Sequence, residues 1–137
     1  MDEAMEGGCQ CGELRYRVTG RPVVTIACHC AECQRQSGSA FGMSMVVPRE
    51  RFALLKGQLR TFTRIADAGG EVECAFCPGC GTRIYHAPSS MPDTVNVKPG
   101  TLDDTSWLEP AAHIWVKRKQ PWVVIPDDVP TREGNPR

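Results

Sequence analysis

The stretch Glu71-Val72-Glu73-Cys74-Ala75-Phe76-Cys77-Pro78-Gly79-Cys80-Gly81-Thr82-Arg83-Ile84-Tyr85-His86 reads as two short strands joined by a tight turn. Glu71 to Phe76 and Thr82 to His86 hold the β-favouring residues, and Cys77 to Gly81 holds two thiols and two glycines. Two residues between Cys77 and Cys80 let both sulfurs face one ion. The glycines permit the turn, whose backbone N–H groups can point at the sulfurs and offset their charge. This is half of a tetrahedral metal site carried on a β-hairpin, and it needs two more ligands.

Outward from this hairpin the pattern stays β. Glu13 to Val18 alternates with Leu14, Tyr16 and Val18 on one face, a half-buried strand. Val23 to Ala27 and Ala40 to Val47 read as strands, and Ala31 to Ser37, ending at Gly38, as one or two helical turns. Phe52 to Leu55, Leu59 to Ile65 and Glu71 to Phe76 read as consecutive antiparallel strands, with Gly57 and Gly69-Gly70 at the turns. Thr94 to Lys98 is a further strand and 99–112 a loop. His113 to Val116 and Trp122 to Ile125 suggest a closing hairpin around Lys117-Arg118-Lys119. Many short strands and little helix predict a mainly β chain. The expectation is one domain over residues 1–126, with 127–137 a poorly ordered tail.

At 137 residues, with 41% hydrophobic and 23% charged, the composition is that of a folded domain. Sixteen basic residues balance sixteen acidic ones, which offers no long-range attraction to nucleic acid or anionic lipid. Neither is expected as a partner. No apolar run approaches the eighteen or so residues of a membrane span. Met1 to Gly8 carries Asp2, Glu3 and Glu6 and no apolar core, so no secretory signal is expected. A reducing, cytoplasmic location follows.

Eight cysteines are the outlier: Cys9, Cys11, Cys28, Cys30, Cys33, Cys74, Cys77 and Cys80. Disulfide frameworks space their cysteines to close long loops, whereas these stand one or two residues apart. Such clusters suit thiolates converging on an ion, and zinc suits C-x-x-C thiolates best. An iron–sulfur cluster is the weaker alternative, because no ferredoxin-like run of four cysteines is present. Cys9 and Cys11, beside Gly7-Gly8 and Gly12, complete a four-thiolate site with Cys77 and Cys80, and closed four-thiolate sites are structural.

Cys28, Cys30 and Cys33 form a second, odd-numbered cluster. Three protein ligands with one open position is the pattern of catalytic zinc. Cys74 or His29 could instead supply a fourth ligand and close the site. Cys74 reads first as a buried free thiol, His29 as solvent-facing, and His86 and His113 as structural. Lys117-Arg118-Lys119 reads as a solvated turn, with a substrate-carboxylate site as the sharper alternative.

Three segments together, Gly7-Gly8-Cys9-Gln10-Cys11-Gly12, Cys28-His29-Cys30-Ala31-Glu32-Cys33 and Phe76-Cys77-Pro78-Gly79-Cys80-Gly81-Thr82, carry a family resemblance. Ser37-Gly38-Ser39-Ala40-Phe41, Gly100-Thr101-Leu102-Asp103-Asp104 and His113-Ile114 extend it, so that it covers Gly7 to Trp122. The chain resembles the glutathione-dependent formaldehyde-activating enzymes, also called the centromere protein V family.

The resemblance implies twisted antiparallel sheets around a zinc site, similar to the zinc-bound fold of a Rab accessory protein. It implies a structural zinc on Cys9, Cys11, Cys77 and Cys80 and a catalytic zinc on Cys28, Cys30 and Cys33. The latter site can be empty in purified protein. The implied reaction is carbon–sulfur lyase chemistry that interconverts glutathione plus formaldehyde with S-hydroxymethylglutathione. The family's more basic stretch after the third cysteine is here Gln34-Arg35-Gln36, with one charge. Arg35, Ser37 and Lys117 are the candidate contacts for the carboxylates of a thiol substrate. The competing expectations are a non-catalytic glutathione- or zinc-binding protein and a protein-interaction module.

Overall fold

Alternation decides which face of each strand is buried. In β2 (Arg15–Thr19), Tyr16 and Val18 point inward and are fully buried, while Arg17 between them is exposed. Strand β2 is the middle of a three-stranded antiparallel sheet, flanked by β1 (Ala4–Gly8) and β5 (Phe52–Lys56). The computed structural model describes residues 3–66 and 69–135.

A second, seven-stranded sheet runs in the order β10 (Ala112–Ile114), β3 (Val24–Cys28), β4 (Gly42–Pro48), β9 (Thr94–Val97), β8 (Arg83–Pro88), β7 (Glu71–Phe76) and β6 (Arg60–Ile65). All neighbours are antiparallel except β10 and β3, which run parallel. The chain is therefore mainly β, with one antiparallel and one mixed sheet. The core lies between the sheets, where Leu14, Tyr16 and Val18 pack with Met45, Val47, Ile84, Val95 and Val97. Each such side chain contributes about 1.5–3 kcal/mol when fully buried. The Tyr16 hydroxyl is satisfied by Thr101 Oγ1 at 2.6 Å.

The opposite face of the large sheet carries the polar chemistry. Residues directly opposite one another share a face, and the pairs Val46–Asn96, His86–Asn96, Cys74–His86 and Phe62–Cys74 trace one row across it, with Cys28–Gly42 on the same face four residues further along β4. A bulge alters the row at one point. Ala75 faces Tyr85 but Phe76 faces Arg83, so Ile84 is the extra residue. Ile84 joins the core, and Arg83 is turned onto the polar face. The only α-helix among the described residues, α1 (Ala31–Ser37), packs beside β4 on this side.

Apart from 122–125, where no strand forms, the expected strands lie within a few residues of their predicted limits, but two expected pairings do not form. β5 and β6 are not neighbours; they lie at the edges of different sheets. The expected hairpin of 113–116 with 122–125 does not form. Ala112–Ile114 instead pairs with β3, and Val116–Arg118 is a 3-10 turn entered through Trp115 at φ 58°, a left-handed conformation rare for an aromatic residue. Beyond the expected limit at residue 126, the backbone runs along β10. His113 N–H donates to the Pro130 carbonyl at 3.0 Å and Arg132 N–H to that of His113 at 2.9 Å. The ends of the sequence, 1–2 and 136–137, lie outside the described residues, as do 67–68 beside the predicted Gly69-Gly70 turn. No helix among the described residues is long and apolar enough to cross a membrane.

Candidate metal centres and the adjoining cavity

The structure brings seven of the eight cysteines together in two groups. In each group the sulfurs lie within 4.8 Å of one another: Cys9, Cys11, Cys77 and Cys80 in one, Cys28, Cys30 and Cys33 in the other. Cys74 joins neither. It is buried on β7, with its thiol directed to the Val72 carbonyl at 3.8 Å.

Chain order explains the first group. β1 ends at Gly8, so Cys9 and Cys11 occupy the turn into β2, while β7 and β8 hold the Cys77–Cys80 turn. The Cys9–Cys11 and Cys11–Cys77 sulfur separations are 3.5 and 3.8 Å. An ion bound tetrahedrally by thiolates about 2.3 Å away needs sulfurs about 3.8 Å apart, so these residues fit one. Leu14 N–H donates to Cys9 Sγ at 3.3 Å, and the Thr82 hydroxyl lies 3.1 Å from Cys80 Sγ. Hydrogen bonds from the Thr82 side chain and backbone hold the Cys80 thiol down at about 5.

The second group is built on the start of α1. Cys28 ends β3, and Cys30 is the helix N-cap, its Sγ accepting from Cys33 N–H at 3.3 Å. Gly38 closes the helix at φ 61°. Cys30 is pulled strongly below the ordinary thiol range, first by hydrogen bonds from Cys28 and Cys33 and then by the N–H groups of Cys33 and Glu32. The sulfurs of this trio converge as those of the first group do. Neither His29 nor any acidic residue among those described completes the group to four. Gly42 on β4 makes room for it, because a Cβ at residue 42 would stand 3.2 Å from Cys33 Cβ and 3.6 Å from its sulfur.

The solvent-facing position expected for His29 is not observed. His29 is fully buried, with Nε2 2.9 Å from His113 Nδ1 and its ring against Phe41. Local alternation turns it inward between two cysteines, and the distant His113 fills the space there. His86 accepts from the Asn96 amide at 3.0 Å. Burial lowers the pKa of all three histidines, that of His86 to about 3.

A cavity of about 440 Å³ adjoins the three-cysteine group through Gly42 and Gln36. The Gln36 amide donates to Cys33 Sγ at 3.8 Å, while its carbonyl oxygen accepts from Arg83 at 2.8 Å. Gly81 and Gly100 form the far wall, so the cavity also borders the Cys77–Cys80 turn. Two cations line it, Arg83 and Lys98, and no carboxylate among the described residues does. The Lys98 ammonium is shut off from solvent and has no hydrogen-bond partner among the described residues. Desolvation pushes its pKa down to about 8. Ser37 lines this cavity, whereas Arg35 and Lys117 do not. Arg35 is exposed on α1, and Lys117 lies over the Trp115 ring at 4.9 Å. Sequence reasoning missed Lys98 and Arg83. A larger cavity of about 530 Å³, between β1 and Trp107, contains no cysteine.

The fold and the two centres define a class: a small β protein with one four-cysteine and one three-cysteine metal-type cluster. Residues 4–118 match the family model described as glutathione-dependent formaldehyde-activating enzyme, and the chain belongs to that family. A relative from Halomonas elongata is 25% identical over 127 residues, spanning 88% of this chain and 80% of its own. One from Penicillium rubens is 28% identical over 109 residues, spanning 74% of this chain. The match takes in 55% of that relative, so the chain spans about half its length. Both carry the name "Putative glutathione-dependent formaldehyde-activating enzyme". A crystal structure of a Rhodobacter sphaeroides protein shares the fold at a TM-score of 0.58 and 20% identity, covering 72% of this chain and 88% of that one.

Proposed function

We propose that the chain is a zinc-dependent carbon–sulfur lyase that interconverts glutathione plus formaldehyde with S-hydroxymethylglutathione. The observation that carries this reading is the three-cysteine group beside a cavity lined by cations. Family membership and the names of the two relatives support it. Cys9, Cys11, Cys77 and Cys80 would hold a structural zinc; Cys28, Cys30 and Cys33 would hold the catalytic one. Bound there, zinc supplies Lewis acidity that lowers the pKa of a thiol.

The chain's own residues set the geometry. Cys30 contributes both a thiolate and the cap of α1, so the helix is anchored to the centre it serves. Ser37 Oγ donates to the Phe41 carbonyl at 3.2 Å, which fixes the loop that walls the cavity. A substrate thiol held there as thiolate attacks the carbonyl carbon of formaldehyde. The carbon–sulfur bond forms, the carbon–oxygen π pair moves to oxygen, and that oxygen takes up the proton the thiol lost. Orienting the two reactants is what the cavity contributes. At the level of fold, the twisted sheets around the four-cysteine site belong to the same reading, with the Rab accessory protein as the expected likeness. The compartment proposed is the cytoplasm.

The test is exchange spectroscopy on glutathione, formaldehyde and their adduct. Exchange accelerated by the protein and lost in Cys30→Ser is the expected result. Glutathione binding with no acceleration would move the reading to a non-catalytic carrier.

A further inference from the structure

We infer that Lys98 is the receptor for a carboxylate of the substrate, so that the cavity selects anionic thiols over neutral ones; this rests on the thiol-lyase reading above. The first ground is an imbalance. A buried ammonium without a partner is unfavourable, and proteins pair or hydrogen-bond such groups. Lys98 Nζ is buried and unpartnered among the described residues, yet its side chain lines a cavity. The counter-group belongs in that space.

The second ground is the character of the cavity. Its other charged group among the described residues, Arg83, is also a cation, and the acidic groups that act on Lys98 electrostatically are the Cys33, Cys74 and Cys28 thiols rather than a carboxylate. Arg83 is held in place by Gln36 at 2.8 Å and by the Phe62 ring at 4.8 Å. Gln36 in turn donates to Cys33 Sγ. The cavity therefore adjoins the sulfur cluster through Gln36 and is also lined by Lys98, whose ammonium would turn out of its buried position to meet a ligand. A ligand with a thiol at one end and a carboxylate at the other satisfies both.

The third ground is that backbone structure fixes Lys98. Its N–H donates to the Ile84 carbonyl at 2.8 Å and its carbonyl oxygen accepts from the Thr101 hydroxyl at 2.7 Å. Pro99 follows it directly. The stem leaves a rigid strand end, which suits a specificity-determining contact.

Calorimetric titration of the zinc-loaded protein with three ligands tests the inference. Glutathione offers thiol and carboxylates, S-methylglutathione offers carboxylates without a free thiol, and 2-mercaptoethanol offers a thiol alone. Lys98→Met should weaken glutathione and S-methylglutathione by about ten- to hundredfold, the effect of one charge-assisted hydrogen bond. It should leave 2-mercaptoethanol unchanged, and Lys98→Arg should recover part of the loss. Metal content and melting temperature equal to or above those of the unmodified protein show that Lys98→Met folds. Unchanged binding of both carboxylated ligands overturns the inference. So does equal weakening of all three, because Lys98 would then act on the charge of the sulfur cluster. If S-methylglutathione binds through Lys98 but a free thiol gives no added affinity, the carboxylate contact stands and the thiol-lyase reading fails.

Discussion

Gly42→Ala probes the three-cysteine centre without touching a ligand. The added Cβ would lie 3.2 Å from Cys33 Cβ, 3.5 Å from its carbonyl oxygen and 3.6 Å from its sulfur. Carbon atoms in favourable contact stand about 3.5–4.0 Å apart, so Cys33 must withdraw by several tenths of an ångström. Overpacking of this kind costs about 1–3 kcal/mol. Helix α1 has only seven residues and is too short to resist on its own propensity. The strain should therefore be released by backing Cys33 out of the cluster. At about 1.4 kcal/mol per tenfold, affinity for the metal of this centre should fall by roughly ten- to hundredfold. Competition against a chromophoric chelator measures this, with the four-cysteine centre unaffected as internal reference. Gly100→Ala, which meets nothing within 4 Å, is the control from the same cavity wall. Undiminished affinity in Gly42→Ala would refute the claim that a bare backbone at residue 42 seats Cys33.

Two further outcomes follow from buried groups. Burial lowers Lys98 from 10.5 to about 8, so between those values the unfolded chain binds more protons than the folded one and stability rises with pH. Below about pH 8 the whole penalty, roughly 3 kcal/mol, is present. Lys98→Met should accordingly make the ligand-free protein more stable than the original at pH 7 in urea unfolding, with the difference fading towards pH 10.5; a less stable variant at pH 7 would contradict this. Cys74→Ala should leave metal stoichiometry unchanged and cost about 1 kcal/mol of packing, and loss of one metal equivalent would make Cys74 a ligand.

Much of this architecture was legible because its signals are local. The alternation of Leu14, Tyr16 and Val18 marks a core-facing strand, and cysteines one or two residues apart mark the two clusters. What escaped depends on long-range pairing. Lys98 follows Val95, Asn96 and Val97, and its place on the face away from the core reads as solvent exposure. It instead lines a cavity with Gln36 and Ser37 of α1 and with Gly81 and Arg83, segments distant in sequence. Arg83 reaches the cavity because the bulge at Ile84 shifts the register of β8, and a bulge leaves no fixed mark in one sequence. The burial of His29 depends on His113, 84 residues away. The parallel pairing of β10 with β3 is equally non-local, and the apolar run at Trp122 to Ile125 imitated a strand that does not form.

In the proposed reading the two cysteine groups are unequal, four thiolates holding the fold and three serving chemistry. Chelator titration of the zinc-loaded protein, with bound zinc and circular dichroism followed together, tests it most directly. Two steps are expected. The first equivalent leaves from Cys28, Cys30 and Cys33 with the fold intact; the second leaves from Cys9, Cys11, Cys77 and Cys80 together with unfolding, because a structural ion contributes directly to folding free energy. Loss of both ions in a single step that coincides with unfolding would contradict it.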